Sequence, residues 1–596
     1  MRNAETVLAI IRERGKRGLP LEDVYRQLYN PDLYLRAYGR LYKNEGAMTK
    51  GITEETVDGM SLEKIRQLID DVRHERHRWT PVRRVYIPKK KGGQRPLGLP
   101  SWKDKLLQEV MRSILEAYYE PQMSKHSHGF RPARGCHTAL QEIQATWLGT
   151  RWFIEGDITK FFDTMDHEVL LSILGEKIHD QRFLWLIRRL LKSGYLEEWK
   201  WNRTLSGCPQ GGVISPILSN IYLDKLDQYV EQALLPTYTR GKHRTRNPAY
   251  TSLVAKAGRQ RRQGNYEAAK KLRQQFQKLP SKSFRDDDAY RRLCYVRYAD
   301  DVLFGFAGPR REAEEIKQLL GQFLRDTLKL EMSQEKTLIT HASSEKARFL
   351  NYQIVNQQND TKQTKKSRSA NGQIALLVPP DVLISKCAHY QRAGKPTYRR
   401  TMLSDDDFTI ISRYQQEYRG VVQYYMLAHN VTWFWKLHWV ARASLLRTLA
   451  CKHRSKLAVQ RRKYQAQFQA ANGTTYSCLE MQVPREGKPP LIARFGGIPL
   501  QRQKRAILVD QPPLYQISER NELIKRLLAD HCELCGTREN VEVHHIRKLA
   551  DLERGGGDRP RWVKIMAARR RKTLVVCQYC HQAIHAGRPT RQRVSE

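Results

Sequence analysis

The chain has 596 residues, 40% hydrophobic and 9% aromatic, and its 105 Lys and Arg outnumber 62 Asp and Glu to leave a net charge of +43. That length exceeds what one core serves, so roughly three to five domains are expected, and the positive excess asks for a polyanionic partner. No apolar run approaches the roughly 20 residues that span a bilayer, which excludes an integral membrane protein, and ten cysteines over such a length are too few for a disulfide scaffold, so a reducing compartment is expected.

Met1 to Gly18 mixes Glu5 and Glu13 with its arginines and shows neither a signal-peptide core nor the acid-poor composition of a transit peptide. Residues 1–75 read as amphipathic helices, with Leu8 and Ile11, then Tyr34, Ala37, Tyr38 and Leu41 at helical spacing; Asn44 to Gly51 breaks the pattern as a loop. Arg83 to Pro100 reads as strand, glycine turn and strand. Its basic residues suit a nucleotide triphosphate or template backbone, or an ordinary basic surface. Asp104 to Tyr119 is predicted to be an amphipathic core helix with Leu107, Val110, Ile114 and Ala117 on one face. His128 to Ala139 is a loop that feeds another helix.

Arg151 to Asp163 contains a buried-type strand that delivers Asp157 at its end, with Phe161 and Phe162 at the exit. Gly207 to Asn220 is a glycine-rich turn opening a helix. Its Gly211-Gly212 pair would let backbone lie against a base pair or sugar, or would merely cap the helix. Residues 240–292 are basic and helix-prone (Lys256, Arg259, Arg261, Arg262, Lys270, Lys271, Arg273), either facing phosphate or forming a solvated helix pair.

Cys294 to Phe306 places Asp300-Asp301 at a tight turn between two short apolar strands. Taken alone, the turn is either solvated or a metal site. With Asp157 it supplies a three-carboxylate, oxygen-only set suited to Mg²⁺, and a metal pair roughly 3.5–4 Å apart serves phosphoryl transfer. Glu312 to Leu328 is a further amphipathic helix, followed by strand-and-turn elements at 330–337 and 349–354. Asn356 to Gly372 is poor in apolar residues and marks a boundary. Residues 373–475 are helical, with stripes through Tyr414, Tyr418, Val421 and Tyr425 and through Val440, Ser444, Leu445, Thr448 and Leu449, and with dense positive charge from Lys452 to Lys463. Such helices suit a thumb-like grip on a duplex. Residues 476–525 read as less regular.

Near the C-terminus, Cys532, Cys535, Cys577 and Cys580 form two Cys-x-x-Cys pairs, the spacing of a structural Zn²⁺ site in a module of about seventy residues whose own core is thin. Cys577-x-x-Cys-His581 is also the haem-attachment string, but the partnering Cys pair accounts for the same residues. His544 and His545 follow a predicted strand, while His581 and His585 stand four apart on a predicted helix. His544, His581 and His585 can surround one divalent cation and leave His545 free as a general base for water.

In combination, Tyr298-Ala-Asp-Asp301, Asp157 before Phe161-Phe-Asp163, Pro209-Gln-Gly-Gly212, Arg95-Pro-Leu-Gly-Leu-Pro100, His128-Gly-Phe-Arg-Pro132 and Phe349-Leu-Asn-Tyr352 resemble a bacterial group II intron-encoded protein. That family combines a reverse transcriptase and maturase with a C-terminal HNH endonuclease. The resemblance implies an α/β (α+β) multidomain protein with right-hand fingers and palm, a helical thumb (X) domain and a small zinc-stabilised ββα nuclease. The layout would be 1–75, N-terminal extension and start of the fingers; 76–355, fingers and palm; 356–372, linker; 373–475, thumb; 476–525, DNA-binding region; and 526–596, nuclease.

By that resemblance Asp157, Asp300 and Asp301 hold two Mg²⁺ ions and Phe162 senses the sugar 2′-position. Gln210 and Gly211 flank the nascent pair, and Arg95 and Lys336 sit near the primer or incoming nucleotide. His544, His581 and His585 ligate the nuclease cation, with His545 as base. No Asn lies between His545 and Cys577, so the Asn of the HNH name has no counterpart there. The implied partners are intron RNA, double-stranded target DNA and dNTPs, without a membrane, in a cytoplasmic, nucleoid-associated ribonucleoprotein; self-association as a homodimer is left open. The implied function is splicing assistance, DNA nicking and target-primed reverse transcription (retrohoming). The rivals are a reverse transcriptase of a retroelement or defence system unconnected with splicing, and a splicing factor with a vestigial polymerase.

Overall fold

The structure, a computed structural model, describes residues 2–88, 92–197, 200–202, 207, 211–279, 283–284, 287–359, 363–364, 367–368, 370–470, 473–485, 488–505, 508, 522–547, 552, 559–569 and 571–591. Its centre is a four-stranded antiparallel sheet in the order Arg292–Tyr298, Asp301–Ala307, Trp152–Gly156, Ile339–His341. Successive side chains on a strand face opposite ways, and here the two faces serve different cores. Ile154, Val302 and Phe304 join Ile221, Ile316 and Leu320 on one side. Phe153, Val296 and Leu303 join Leu140, Ile143, Tyr352 and Tyr414 on the other.

The predicted basic hairpin is present. Val82–Pro88 pairs with Gln94–Leu99 from Arg83↔Leu99 to Pro88↔Gln94, within a second four-stranded sheet. The neighbouring helix Trp102–Tyr119 departs from expectation, because it is buried on nearly every side rather than on one face. Within it Arg112 donates to Glu109 at 2.8 Å and pairs also with Glu116, while Asp104, Lys105 and Gln108 bond to Thr80, Gly46 O and Val213 N. Residues 240–292 contain a helix pair, Pro248–Arg262 and Tyr266–Lys278, that buries none of its residues and meets through Tyr250 and Phe276, as both expectations allow.

The segment expected as a linker lies between two strands that pair with each other, Tyr352–Asn356 and Ile374–Leu377. The chain therefore enters the next block through a shared sheet. That block stacks helices Asp407–Tyr424 and Phe434–Lys452, with Tyr414 Oη hydrogen-bonded to Ser444 and Thr448. The irregularity expected over 476–525 holds for 496–505, which form neither helix nor strand, and 506–507 and 509–521 lie outside the described residues, but the start of the segment is regular. Gln465–Gln469, Thr475–Arg485 and Lys488–Phe495 build a three-stranded antiparallel sheet, whose Leu479, Ala493 and Phe495 pack on the Asp407–Tyr424 helix core.

The C-terminal module has strands Val541–His545 and Thr573–Cys577 followed by helix Gln578–His585. It does not stand apart. Met60–Ser61 adds a third strand to its sheet, in the register Met60↔Val543 and Ser61↔Glu542. Leu523, Leu527, Val541, Val543 and Val575 share a core with Tyr34, Tyr38 and Leu68. Among the described residues, no helix is long and apolar enough to cross a membrane.

Candidate functional site

Three separate constellations emerge among the described residues. In the first, the Trp152–Gly156 strand brings Asp157 against the hairpin. Gly156 permits this, since a Cβ there would stand 2.3 Å from Val302 Cγ2. Tyr298 and Asp301 are the closing pair of the hairpin and leave Ala299-Asp300 as its turn, with Ala299 left-handed at φ 55°. A Cβ on Gly129 would lie 2.5 Å from Ala299 N, which explains the glycine in the His128-Gly-Phe segment.

Beneath the turn lies Arg297, fully buried, which donates to Ala299 O (3.0 Å), to Asn220 Oδ1 (3.1 Å) and to both carboxylate oxygens of Asp227 (2.8 and 2.6 Å). Asn220 Nδ2 in turn donates to Gly129 O at 2.9 Å, and Tyr295 Oη to Asp227 Oδ1 at 2.7 Å. None of Asn220, Asp227 and Arg297 is singled out by sequence reasoning. A charged residue at a strand position between two apolar neighbours was the available signal.

Burial pushes the carboxyls of Asp300 and Asp301 up, Asp301 to about 7, and proximity to Asp157 adds to the shift in both. Carboxylates crowded in this way, with few compensating cations, make an oxygen-rich site that fits divalent ions. Lys336 Nζ lies 2.8 Å from Asp157 Oδ2, and the positive charge of Arg95 favours ionised Asp300. Phe162 is half-buried at the start of the short helix Phe161–Thr164, edge-on to Phe161 at 5.4 Å.

Gly211 is left-handed at φ 105°, and a Cβ there would stand 2.6 Å from Gly98 O. Gly211 thus lies against the Gln94–Leu99 strand. Gln210 lies outside the described residues.

In the second constellation, His544, His581 and His585 converge as predicted, joined by Asp58, with ligand atoms all within 4.8 Å of one another. Asp58 Oδ2 is 2.8 Å from His585 Nε2, and Asp58 Oδ1 is 3.2 Å from His581 Nε2. Glu542, on the same strand face as His544, is hydrogen-bonded to His581 Nδ1 at 2.6 Å and orients that ring. Its i, i+2 relation to His544 could have signalled it. Asp58 carries no local signal at all.

Burial by itself would lower His581, but hydrogen bonds to Asp58 and Glu542 outweigh it and raise the imidazole to about 9. Burial opposes ionisation of Asp58 as well, yet hydrogen bonds from His581 and the His545 amide hold its carboxyl well below the usual range. Burial lowers His544 to about 4.

His545 is not free, contrary to expectation. Alternation along the strand turns it to the face opposite His544, which the N-terminal helices cover. It is 5% exposed, its Nε2 lies 2.9 Å from Tyr38 Oη, and burial lowers it to about 3.

The four cysteines meet at one point, with Cys535 Sγ 3.7 Å from Cys577 Sγ and 3.8 Å from Cys580 Sγ. Zn–S bonds of about 2.3 Å in a tetrahedron separate sulfurs by roughly 3.8 Å, so the thiol set has the dimensions of a zinc site.

Three family models match the chain: reverse transcriptase (RNA-dependent DNA polymerase) over residues 87–254, type II intron maturase over 375–477, and AI2M/AI1M-like HNH endonuclease over 532–581. Group II intron-encoded protein LtrA of Lactococcus lactis subsp. cremoris is 38% identical over 586 residues, covering 94% of this chain and 95% of its own length. An uncharacterized 91 kDa protein in the cob intron of Schizosaccharomyces pombe is 33% identical, covering 94% and 69%. The putative COX1/OXI3 intron 1 protein of Saccharomyces cerevisiae is 32% identical, covering 93% and 68%.

Proposed function

Because the chain belongs to the group II intron-encoded proteins, and so is an RNA-directed DNA polymerase and intron maturase that also carries an endonuclease, we propose how its residues divide that work. The observation that carries the reading is the delivery of Asp157 and the Asp300-Asp301 turn to one end of a single sheet, with the strand that carries His544 in a different sheet.

At the polymerase site Asp157, Asp300 and Asp301 would hold two Mg²⁺ ions. Bound there, the ions would supply activation of the primer 3′-oxygen and neutralisation of charge on the leaving pyrophosphate. Arg297, anchored by Asp227, keeps the turn in place so that the carboxylates are oriented before substrate arrives. Lys336, now paired with Asp157, and Arg95 would bind phosphates of the incoming dNTP. Phe162 would pack against its sugar, with Gln210 and Gly211 beside the new pair.

At the nuclease site His544, His581 and His585 would hold one divalent cation, with His545 taking the proton of the attacking water once its imidazole is released from Tyr38. Cys532, Cys535, Cys577 and Cys580 would bind a structural Zn²⁺. Residues 373–475 and the basic surfaces would hold intron RNA, and 476–525 would hold target DNA. Nicking would supply the 3′-OH from which the RNA is copied.

Asp300→Asn should abolish RNA-templated primer extension and leave DNA nicking, while His545→Ala should do the reverse. One substitution that removes both activities from a folded protein would overturn this division.

A further inference from the structure

The nuclease cluster is completed from the other end of the chain. Asp58 is held rigidly in it: Gly59 N donates to Val543 O at 2.9 Å, Lys64 Nζ donates to Gly59 O at 2.7 Å, and Met60–Ser61 then pairs with the nuclease strand. Asp58 Oδ1 also accepts from the His545 amide at 2.7 Å and lies 3.5 Å from His544 Nδ1. His544 is 4% exposed, and among the described residues neither of its ring nitrogens has a hydrogen-bond partner. A buried imidazole left in that state is costly, and a cation among His544, His581, His585 and Asp58 would give it a partner. His585 is largely exposed, so an ion can reach the cluster without the module moving.

We infer that Asp58 is a fourth protein ligand of the nuclease cation, and that in this docked arrangement the two ends of the chain clasp one divalent ion of the kind that accepts nitrogen and oxygen ligands, closing the nuclease. The inference rests on the reading of the three histidines as that ion's ligands. Its physical basis is coordination number. A catalytic tetrahedral site keeps one position for water or substrate, whereas four protein ligands make a closed, structural type of site. The carboxylate of Asp58 takes the place that a DNA phosphate would need.

The same docking disables the base. Strand addition by Met60–Ser61 and the packing of Tyr38 and Tyr42 against His545 bury that ring and engage its Nε2. Cutting then requires the module to leave the N-terminal helices. That movement opens the fourth position and frees His545 together, so nicking would be confined to an undocked state.

The test uses full-length protein with its cysteine site zinc-filled, titrated with Co²⁺, whose histidine–carboxylate absorption is distinct from thiolate charge transfer. Asp58→Ala should weaken Co²⁺ at the histidine site tenfold or more, the scale on which metal-site contacts act. It should also speed amide hydrogen exchange at residues 57–61 and 541–545, raise DNA nicking several-fold and leave primer extension unchanged.

Unchanged Co²⁺ affinity would overturn Asp58 as a ligand. Nicking lost in Asp58→Ala, with primer extension intact, would overturn the closing role and make Asp58 part of the cutting machinery. His581→Ala distinguishes the underlying reading: if it keeps both non-thiolate Co²⁺ binding and nicking, the histidine assignment itself fails.

Discussion

Arg297 and Asp227 form a bidentate ion pair, both residues at 0% exposure, directly beneath the Ala299-Asp300 turn. Breaking a buried pair by removing one charge typically costs about 3–5 kcal/mol, because the other charge is left without compensation. Asp227→Asn should therefore lower the unfolding free energy by that order, read as a reduced denaturant midpoint. Primer extension should fall much further than nicking, since the turn it supports carries Asp300. A variant with wild-type stability and activity would show that Asn220 and Tyr295 suffice to hold the guanidinium.

Gly211→Ala and Gly420→Ala should act in opposite directions. At Gly211 the left-handed backbone and the nearby Gly98 carbonyl both resist a Cβ, and strain of about 1–3 kcal/mol is expected. It should appear as a raised KM for dNTP with nicking unaffected. Gly420 lies on the exposed face of helix Asp407–Tyr424 with nothing within 4 Å of an added Cβ, so alanine there should stabilise the protein by about 0.5–1 kcal/mol. Thermal melts of the two variants check the contrast.

Removing the proposed zinc should separate the two enzymes. Cys532, Cys577 and Cys580 form much of the small core around Leu534, Met566 and Leu574, so that side of the module depends on them. Cys580→Ser should release bound zinc and abolish nicking while primer extension persists. Zinc content and the two assays, measured on one preparation, decide it.

Asp407 should give the maturase-matching block an acid-sensitive step. Burial alone would raise its carboxyl, but Lys452, Tyr464 and His453 outweigh burial and hold it at about 2. Lys452 Nζ stands 2.7 Å away and His453 Nε2 2.8 Å. A carboxyl lowered on folding stabilises the fold in full above its unfolded value near 4, and that stability is lost as pH falls toward 2. The contribution is on the order of 2 kcal/mol. Urea unfolding between pH 5 and 2 should show that loss in the wild type, and Asp407→Asn should be flatter over the same window.

The chemistry of the chain was legible wherever it depended on neighbours in sequence. A two-residue turn between apolar strands, two Cys-x-x-Cys pairs, and histidines four apart on a helix are local patterns, and the structure folds each of them as its spacing requires. Backbone periodicity carries that information over a few residues.

What required the tertiary structure lies between segments far apart. Trp102–Tyr119 presents an apolar stripe to a reader of its sequence, yet other elements pack around it on nearly every side, with Glu109 and Glu116 neutralising its buried Arg112. Gly211 has a turn's conformational freedom in any reading, but only folding assigns its free space to Gly98 O. His545 and His544 are adjacent and alternate by necessity. Which of them faces metal ligands and which faces Tyr38 was decided by the packing of the nuclease sheet on the N-terminal helices. Asp58 reaches a cluster almost five hundred residues away along the chain. No period or spacing encodes such a contact, because it arises from the complementarity of two surfaces that exist only after both have folded.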